Sequence, residues 1–236
     1  MNNTNDNYER LGYFSETVAA DSRRKEFNIK NHSIIRNGRK PDFLFIGDSI
    51  TQYWELNAYF NIPDQLIINR GIAGDTTTYL NKRFLVDALQ LEPKYCILGI
   101  GINDSIDLEG DYWKLIPPRP TEVVFQRAKE NISEIIEKVK NSSTTLILTS
   151  LLPISIKLSL YETERKIFVC NLNQWLNETA KTENLIFINY YTATSYPGTN
   201  KLLDNITYDG LHPNARGYEL MSAVLRNTLQ KNNITI

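Results

Sequence analysis

Five short runs of large apolar residues, each closed by a glycine or a polar turn, alternate along this chain with stretches of helical period. They lie at residues 43–46, 66–69, 95–101, 144–149 and 185–188. Apolar runs of this length suit strands buried on both faces, the habit of parallel sheets. Between them, Leu80, Phe84 and Ala88, then Val124, Ala128, Ile132, Ile135 and Val139, then Val169, Leu172, Leu176 and Ala180 recur at three- and four-residue steps. Tyr218, Met221, Leu225 and Leu229 mark a last helix of the same kind. That order predicts an α/β domain of three layers, α/β/α, with right-handed crossovers. Residues 1–20 begin polar and read as an N-terminal extension in which Tyr13 and Phe14 start to pack. Residues 21–236 read as a single domain. The stretch 21–40 is mixed and charged and predicts no element; His32 within it reads as a surface or capping histidine.

Composition removes several function classes. With 26 Lys plus Arg against 27 Asp plus Glu, the net charge of −1 leaves no electrostatic footprint for nucleic acid or an anionic membrane surface. No apolar run approaches the roughly 18–20 residues that spanning a bilayer requires. The start of the chain has neither the basic region nor the apolar core of a signal peptide, so the expectation is a cytoplasmic protein with no membrane insertion. Cys96 falls in a strand and Cys170 in a helix, and both read as free thiols, not a disulfide.

Candidate chemistry collects where strands end. The first run empties into Gly47-Asp48-Ser49, which reads equally as a helix cap and as a nucleophile on a turn. The second ends in the glycine-bearing turn 71–74, the third at Asn103-Asp104. Near the far end, Pro213 forces His212 out of helical geometry, and Gly210 lets the chain bend so that Asp209 reaches the imidazole. Ester hydrolysis by serine needs a base, an orienter for that base and donors for the oxyanion. Ser49 fits the nucleophile, His212 the general base and Asp209 the carboxylate that holds the imidazole tautomer. The backbone N–H groups of Ser49 and Gly74 and the side-chain amide of Asn103 fit the oxyanion hole. Asp48, Tyr53, Trp54, Tyr112 and Trp113 are the further candidates for substrate contact. Segment 105–120, with its Pro117-Pro118-Arg119-Pro120 run, reads as an irregular wall or lid with a stiff exit.

The blocks Gly47-Asp48-Ser49, 71–74, 101–104 and 209–213 stand in the order of the GDSL, or SGNH, hydrolase family, which this chain resembles over residues 41 to about 225. Ile50 replaces the family's common leucine. Thr51 stands where the Gly-x-Ser-x-Gly elbow of the α/β-hydrolases would have its second glycine. The resemblance implies a flavodoxin-like fold with a five-stranded parallel sheet in order 2-1-3-4-5. It also implies a serine esterase working without cofactor or metal on a small-molecule ester, with a homo-oligomer left open. Residues 71–77 and Leu151-Leu152-Pro153 are similar to the branch holding platelet-activating-factor acetylhydrolase catalytic subunits and bacterial sugar-ester deacetylases. That branch implies removal of an acetyl or other short acyl group, with a carbohydrate among the substrates. A lysophospholipase or thioesterase taking longer chains is the alternative within enzymes. A non-catalytic flavodoxin-like binding module is the alternative outside them, and such a module has no need of Asp209 and His212.

Overall fold

A computed structural model describes residues 8–12, 19–111, 113–156 and 159–236. Its sheet is built from β1 (Phe43–Gly47), β2 (Ile67–Gly71), β3 (Tyr95–Gly99), β4 (Thr145–Thr149) and β5 (Ile186–Ile188). All neighbours are parallel, and the order is β2-β1-β3-β4-β5, as the resemblance implies. β1 is an interior strand buried along its whole length, which is why its sequence is apolar without alternation.

The helices follow in chain order: α1 (Ala19–Arg36), α2 (Ser49–Gln52), α3 (Leu56–Tyr59), α4 (Thr77–Asp87), α5 (Thr121–Lys140), α6 (Glu162–Thr182), α7 (Tyr190–Thr194) and α8 (Ala215–Lys231). Period-2 geometry divides the core in two. Leu44, Ile46, Cys96, Leu98, Leu146 and Leu148 point to the face covered by α4, α5 and α6. Phe43, Phe45, Ile97, Ile147 and Ile188 point to the opposite face, where Tyr218, Met221, Leu225 and Leu229 of α8 meet Trp54 and Phe60. Cys96 is buried in β3, Cys170 is half-buried in α6, and both are free.

Several elements differ from the sequence reading. The mixed, charged stretch to which no element was assigned lies largely in the 18-residue α1. Its buried positions, Asp21, Arg24, Phe27 and Asn31, fall at helical spacing but are mostly polar, so no apolar stripe announces it. His32 is half-buried and stacks on Tyr8 at a centroid distance of 4.3 Å. Residues 190–194, to which no element was assigned, form α7, capped by the Asn189 side chain. Pro213 stands just outside α8, whose N-cap is Asn214, so it sets the approach to the helix instead of its first turn. Tyr13 and Phe14 lie outside the described residues. No helix among those described is long and apolar enough to cross a membrane.

Three glycines share one row at the carboxyl edge of the sheet. Gly47 is in register with Gly71 on one side and Gly99 on the other. A Cβ on Gly47 would lie 2.1 Å from the Gly99 carbonyl oxygen, and one on Gly71 would lie 2.2 Å from the Gln52 nitrogen. The row lets α2 settle directly on the strand ends. We expect Gly71→Ala to destabilise the fold by about 3 kcal/mol, because the atoms in the way are backbone and cannot yield. Gly12→Ala, with nothing within 4 Å of the added carbon, should leave stability unchanged. Denaturant unfolding of both variants measures the difference.

Candidate active site

The turn after β1 is fixed from both sides. Asp48 is the N-cap of α2, its carboxylate accepting the Ile50 N–H at 2.9 Å. Asn69 of β2 donates to the carbonyls of Thr51 (2.7 Å) and Trp54 (3.1 Å), holding the end of α2, while its own oxygen accepts the Gly71 N–H at 2.8 Å. The Gln52 side chain accepts the Ala73 N–H at 2.7 Å, tying α2 to the loop that carries Gly74. From the opposite layer, the Tyr218 hydroxyl donates to the Ile50 carbonyl at 2.8 Å. Ser49 therefore stands on a short helix with little freedom, and its residue is only 5% exposed.

The histidine comes from a turn that closes on itself. One Asp209 carboxylate oxygen accepts the backbone N–H groups of Leu211 (3.0 Å) and His212 (2.8 Å). The other stands 2.6 Å from His212 Nδ1. Gly210 has φ +85°, and a Cβ there would fall 1.8 Å from the Ser155 carbonyl oxygen, so the turn packs against the segment after β4 as only glycine allows. This arrangement points His212 Nε2 at Ser49 Oγ, 3.0 Å away across 163 residues of sequence. With Nδ1–H donating to Asp209, Nε2 is left as the acceptor for the serine proton. Burial raises the Asp209 carboxyl, but the hydrogen bonds from His212 and Leu211 outweigh it and hold its pKa below the usual value.

Gly74 and Asn103, expected to donate to an oxyanion, lie just after the next two strands. Gly74 has φ +79°, in the left-handed region that favours glycine. Asn103 Nδ2 donates one hydrogen to the Asp75 carbonyl at 2.9 Å, which locks the amide beside the Gly74 turn and leaves its second hydrogen for a ligand. Asp104 accepts from the Thr77 N–H (2.9 Å) and hydroxyl (2.6 Å) and so joins the β3 loop to the start of α4.

Beneath these turns lies a buried ionic cluster that the sequence reading missed. Arg83 of α4 is fully buried. Its guanidinium bonds to Asp75 at 2.8 Å and donates to the carbonyls of Arg70 (2.9 Å) and Gly47 (3.1 Å). Asp87, one turn on, also takes Arg24 Nε at 3.0 Å. The signal was an Arg83/Asp87 pair four residues apart on a helix whose neighbouring residues are core. Arg165 of α6, also buried, donates to Ser105 at 3.0 Å and pairs with Glu109 at 2.8 Å, pinning the start of segment 105–120.

The other expected contacts divide. Tyr53 is 55% exposed and its ring lies 5.7 Å from that of His212, so it borders the site. Trp54 does not: it is 4% exposed and packs among Phe45, Phe60 and Tyr218. Asp48 is likewise buried, and it shares with Trp54 a cavity of only about 40 Å³ behind the serine turn. Both are parts of the support, because neither can meet a substrate from there. Trp113 is 90% exposed on a short hairpin bridged between Asp111 and Ile116. Tyr112 lies outside the described residues.

Burial pushes the Asp48 carboxyl up to about 7, with the nearby Asp75 and Asp104 carboxylates adding to the effect and the Ile50 N–H opposing it. Folded Asp48 thus keeps its proton to higher pH than the unfolded chain does. Between about pH 4 and pH 7 the folded state binds more protons, and this group's contribution to stability declines as pH rises. Asparagine can keep the cap without the charge. The melting temperature of Asp48→Asn should therefore gain on the wild type as pH is raised across that window. Parallel curves would contradict the assignment.

A sequence model of the GDSL-like Lipase/Acylhydrolase family matches residues 45–220. The chain is similar to a solved GDSL-like lipase of Bacteroides thetaiotaomicron, with 26% identity, TM-score 0.70, and coverage of 88% of this chain and 97% of that one. It is also similar to a solved protein of Bacteroides fragilis proposed to be an acylhydrolase, with 26% identity, TM-score 0.73, and coverage of 92% and 99%. Among curated proteins, an N-acylneuraminate cytidylyltransferase of Escherichia coli is 26% identical over 181 residues, which are 76% of this chain and 38% of that protein. The chain spans about a third of the length of the curated relatives it matches.

Proposed function

The chain belongs to the GDSL-like lipase/acylhydrolase family, and from that premise we propose that it is a serine esterase removing an acetyl or other short acyl group from an alcohol oxygen. The observation that carries this reading is the continuous chain Ser49 Oγ, His212 Nε2, His212 Nδ1, Asp209 Oδ2, with separations of 3.0 Å and 2.6 Å across the two hydrogen bonds.

In the reaction as we write it, Ser49 Oγ attacks the ester carbonyl carbon while His212 Nε2 takes the hydroxyl proton. Asp209 stabilises the imidazolium and keeps its orientation. The carbonyl oxygen becomes an oxyanion that accepts from the N–H groups of Ser49 and Gly74 and from Asn103 Nδ2, each such donor being worth roughly 3–4 kcal/mol in the transition state. Collapse breaks the bond to the alcohol oxygen, which leaves with the proton from His212. Water then attacks the acyl-enzyme, again giving its proton to His212, and the acid departs as Ser49 is restored. The mechanism needs no metal or organic cofactor. Support for a short acyl group comes from the tight surroundings of the nucleophile: Ser49 is 5% and Asn103 8% exposed.

Ser49→Ala should lower kcat for p-nitrophenyl acetate by about 10⁴-fold or more. Wild-type turnover in that variant would remove Ser49 from the reaction. Activity should also fall on acidification, since a protonated imidazole cannot accept the serine proton. A series of p-nitrophenyl esters from acetyl upward tests the acyl length: the rate should peak at the short end, and a maximum at about eight carbons or beyond would transfer the chain to the long-acyl class.

A further inference from the structure

The cavity of about 40 Å³ behind the serine turn is lined by Asp48 and Thr51, on either side of the nucleophile, and by Trp54, Gly99, Thr149 and Tyr190. Ser49 does not line it, and its hydroxyl is turned toward His212. Every side chain named in the lining is buried.

Two of them carry a polar atom with nothing to bond. Trp54 Nε1 and Tyr190 Oη are buried and have no hydrogen-bond partner among the described residues. Buried polar groups are nearly always paired, because an unpaired one gives up its hydration with no return. Two hydroxyls converge on the same space. A Cβ on Gly99 would stand 2.9 Å from Thr149 Oγ1 and 4.0 Å from Thr51 Oγ1, so glycine at the end of β3 keeps the gap between them open. Asp48 adds a carboxyl, one oxygen of which accepts the Ile50 N–H. Burial keeps its proton to about pH 7, so the group can donate as well as accept.

These groups restrict the occupant. It must accept from the indole, which is a donor only, and exchange hydrogen bonds with three hydroxyls. A cation would face the indole N–H and an anion the Asp48 carboxyl, so a neutral molecule is left. A water molecule needs roughly 10–15 Å³ of such space, and about 40 Å³ therefore holds about three.

The lining joins elements that hold the nucleophile to elements that do not. Thr51 lies in α2 and Trp54 just after it, Gly99 ends β3, Thr149 ends β4 and Tyr190 opens α7. α2 is four residues long and is tied to β2, to the Gly74 loop and to α8 by Asn69, Gln52 and Tyr218. Water in the cavity adds a link to β4 and α7.

We propose that this cavity is a hydration site for about three water molecules bonded to Thr51, Trp54, Thr149 and Tyr190, and that through them Thr149 and Tyr190 are positioning residues for Ser49. The positioning role rests on the esterase reading above; the hydration does not.

A high-resolution crystal structure of the wild type tests the hydration. Ordered waters should stand within hydrogen-bond distance of Trp54 Nε1 and Tyr190 Oη, and Tyr190→Phe should lose the water bonded to that oxygen. In solution the Trp54 indole N–H should give an NMR cross-peak to long-lived water. Xenon taken up by the cavity under pressure would overturn the proposal, as would an indole N–H aimed at the Tyr190 ring, which it meets edge to face at 6.1 Å. The positioning role is read from turnover of p-nitrophenyl acetate per active site, with sites titrated by a fluorophosphonate so that misfolded protein is not counted. Tyr190→Phe and Thr149→Val keep the shape of each side chain and should lower kcat about five- to tenfold, with KM changed by less than about twofold. Because the two residues stand on different elements, a variant that fails to fold leaves the other to decide. Loss of the waters with kcat unchanged would remove the positioning role. Waters in place in a wild type that does not turn over p-nitrophenyl acetate would overturn the esterase reading and leave the hydration site standing.

Discussion

The arrangement at the carboxyl edge of the sheet depends on one buried guanidinium. Arg83 reaches the end of β1 through the Gly47 carbonyl, β2 through the Arg70 carbonyl and the Gly74 loop through Asp75. Burying such a charge costs several kcal/mol, and good geometry with full pairing is what offsets it. Removing one partner leaves the other uncompensated, at a cost of roughly 3–5 kcal/mol. The cluster therefore acts less as a source of stability than as a constraint on shape, because the strand ends must keep their mutual distances for the charges to stay paired. Ser49 and Gly74, two of the three donors attributed to the oxyanion hole, follow those same strand ends, and Asn103 joins them through the Asp75 carbonyl.

This dependence also accounts for α1. Its inner face is polar because it completes the cluster. Arg24 pairs with Asp87, and Asn31 accepts from Arg70 Nε at 2.9 Å while donating to Asp87. A helix built for that duty has no apolar stripe, and periodicity in hydrophobicity cannot reveal it. The strands, by contrast, were legible to within two residues at either end, since burial on both faces leaves a run of apolar side chains. Loop details were not legible. Whether Pro213 enters a helix or stands before it depends on the Asn214 cap, and whether Trp54 faces substrate or core depends on the packing of α8.

The candidate site was readable to an unequal degree. Ser49, Gly74, Asn103, Asp209 and His212 each sit at the end of an element or on a turn where their residue type is otherwise unexplained, and the sheet topology brings them to one edge. Tyr53 could be placed near the site because it follows the nucleophile by one helical turn. The aromatic residues of segment 105–120 carried no comparable geometric argument.

The histidine turn is carried by a loop, residues 195–214, whose bridges and hydrogen bonds are mostly its own. It meets Ser49 through the hydrogen bond from His212. Ser49, Gly74 and Asn103, carried by the ends of β1, β2 and β3, share no backbone with it. The two halves of the site are thus separate cassettes, and a change in the length or sequence of residues 199–208 leaves the strand-end turns that carry Ser49, Gly74 and Asn103 as they are.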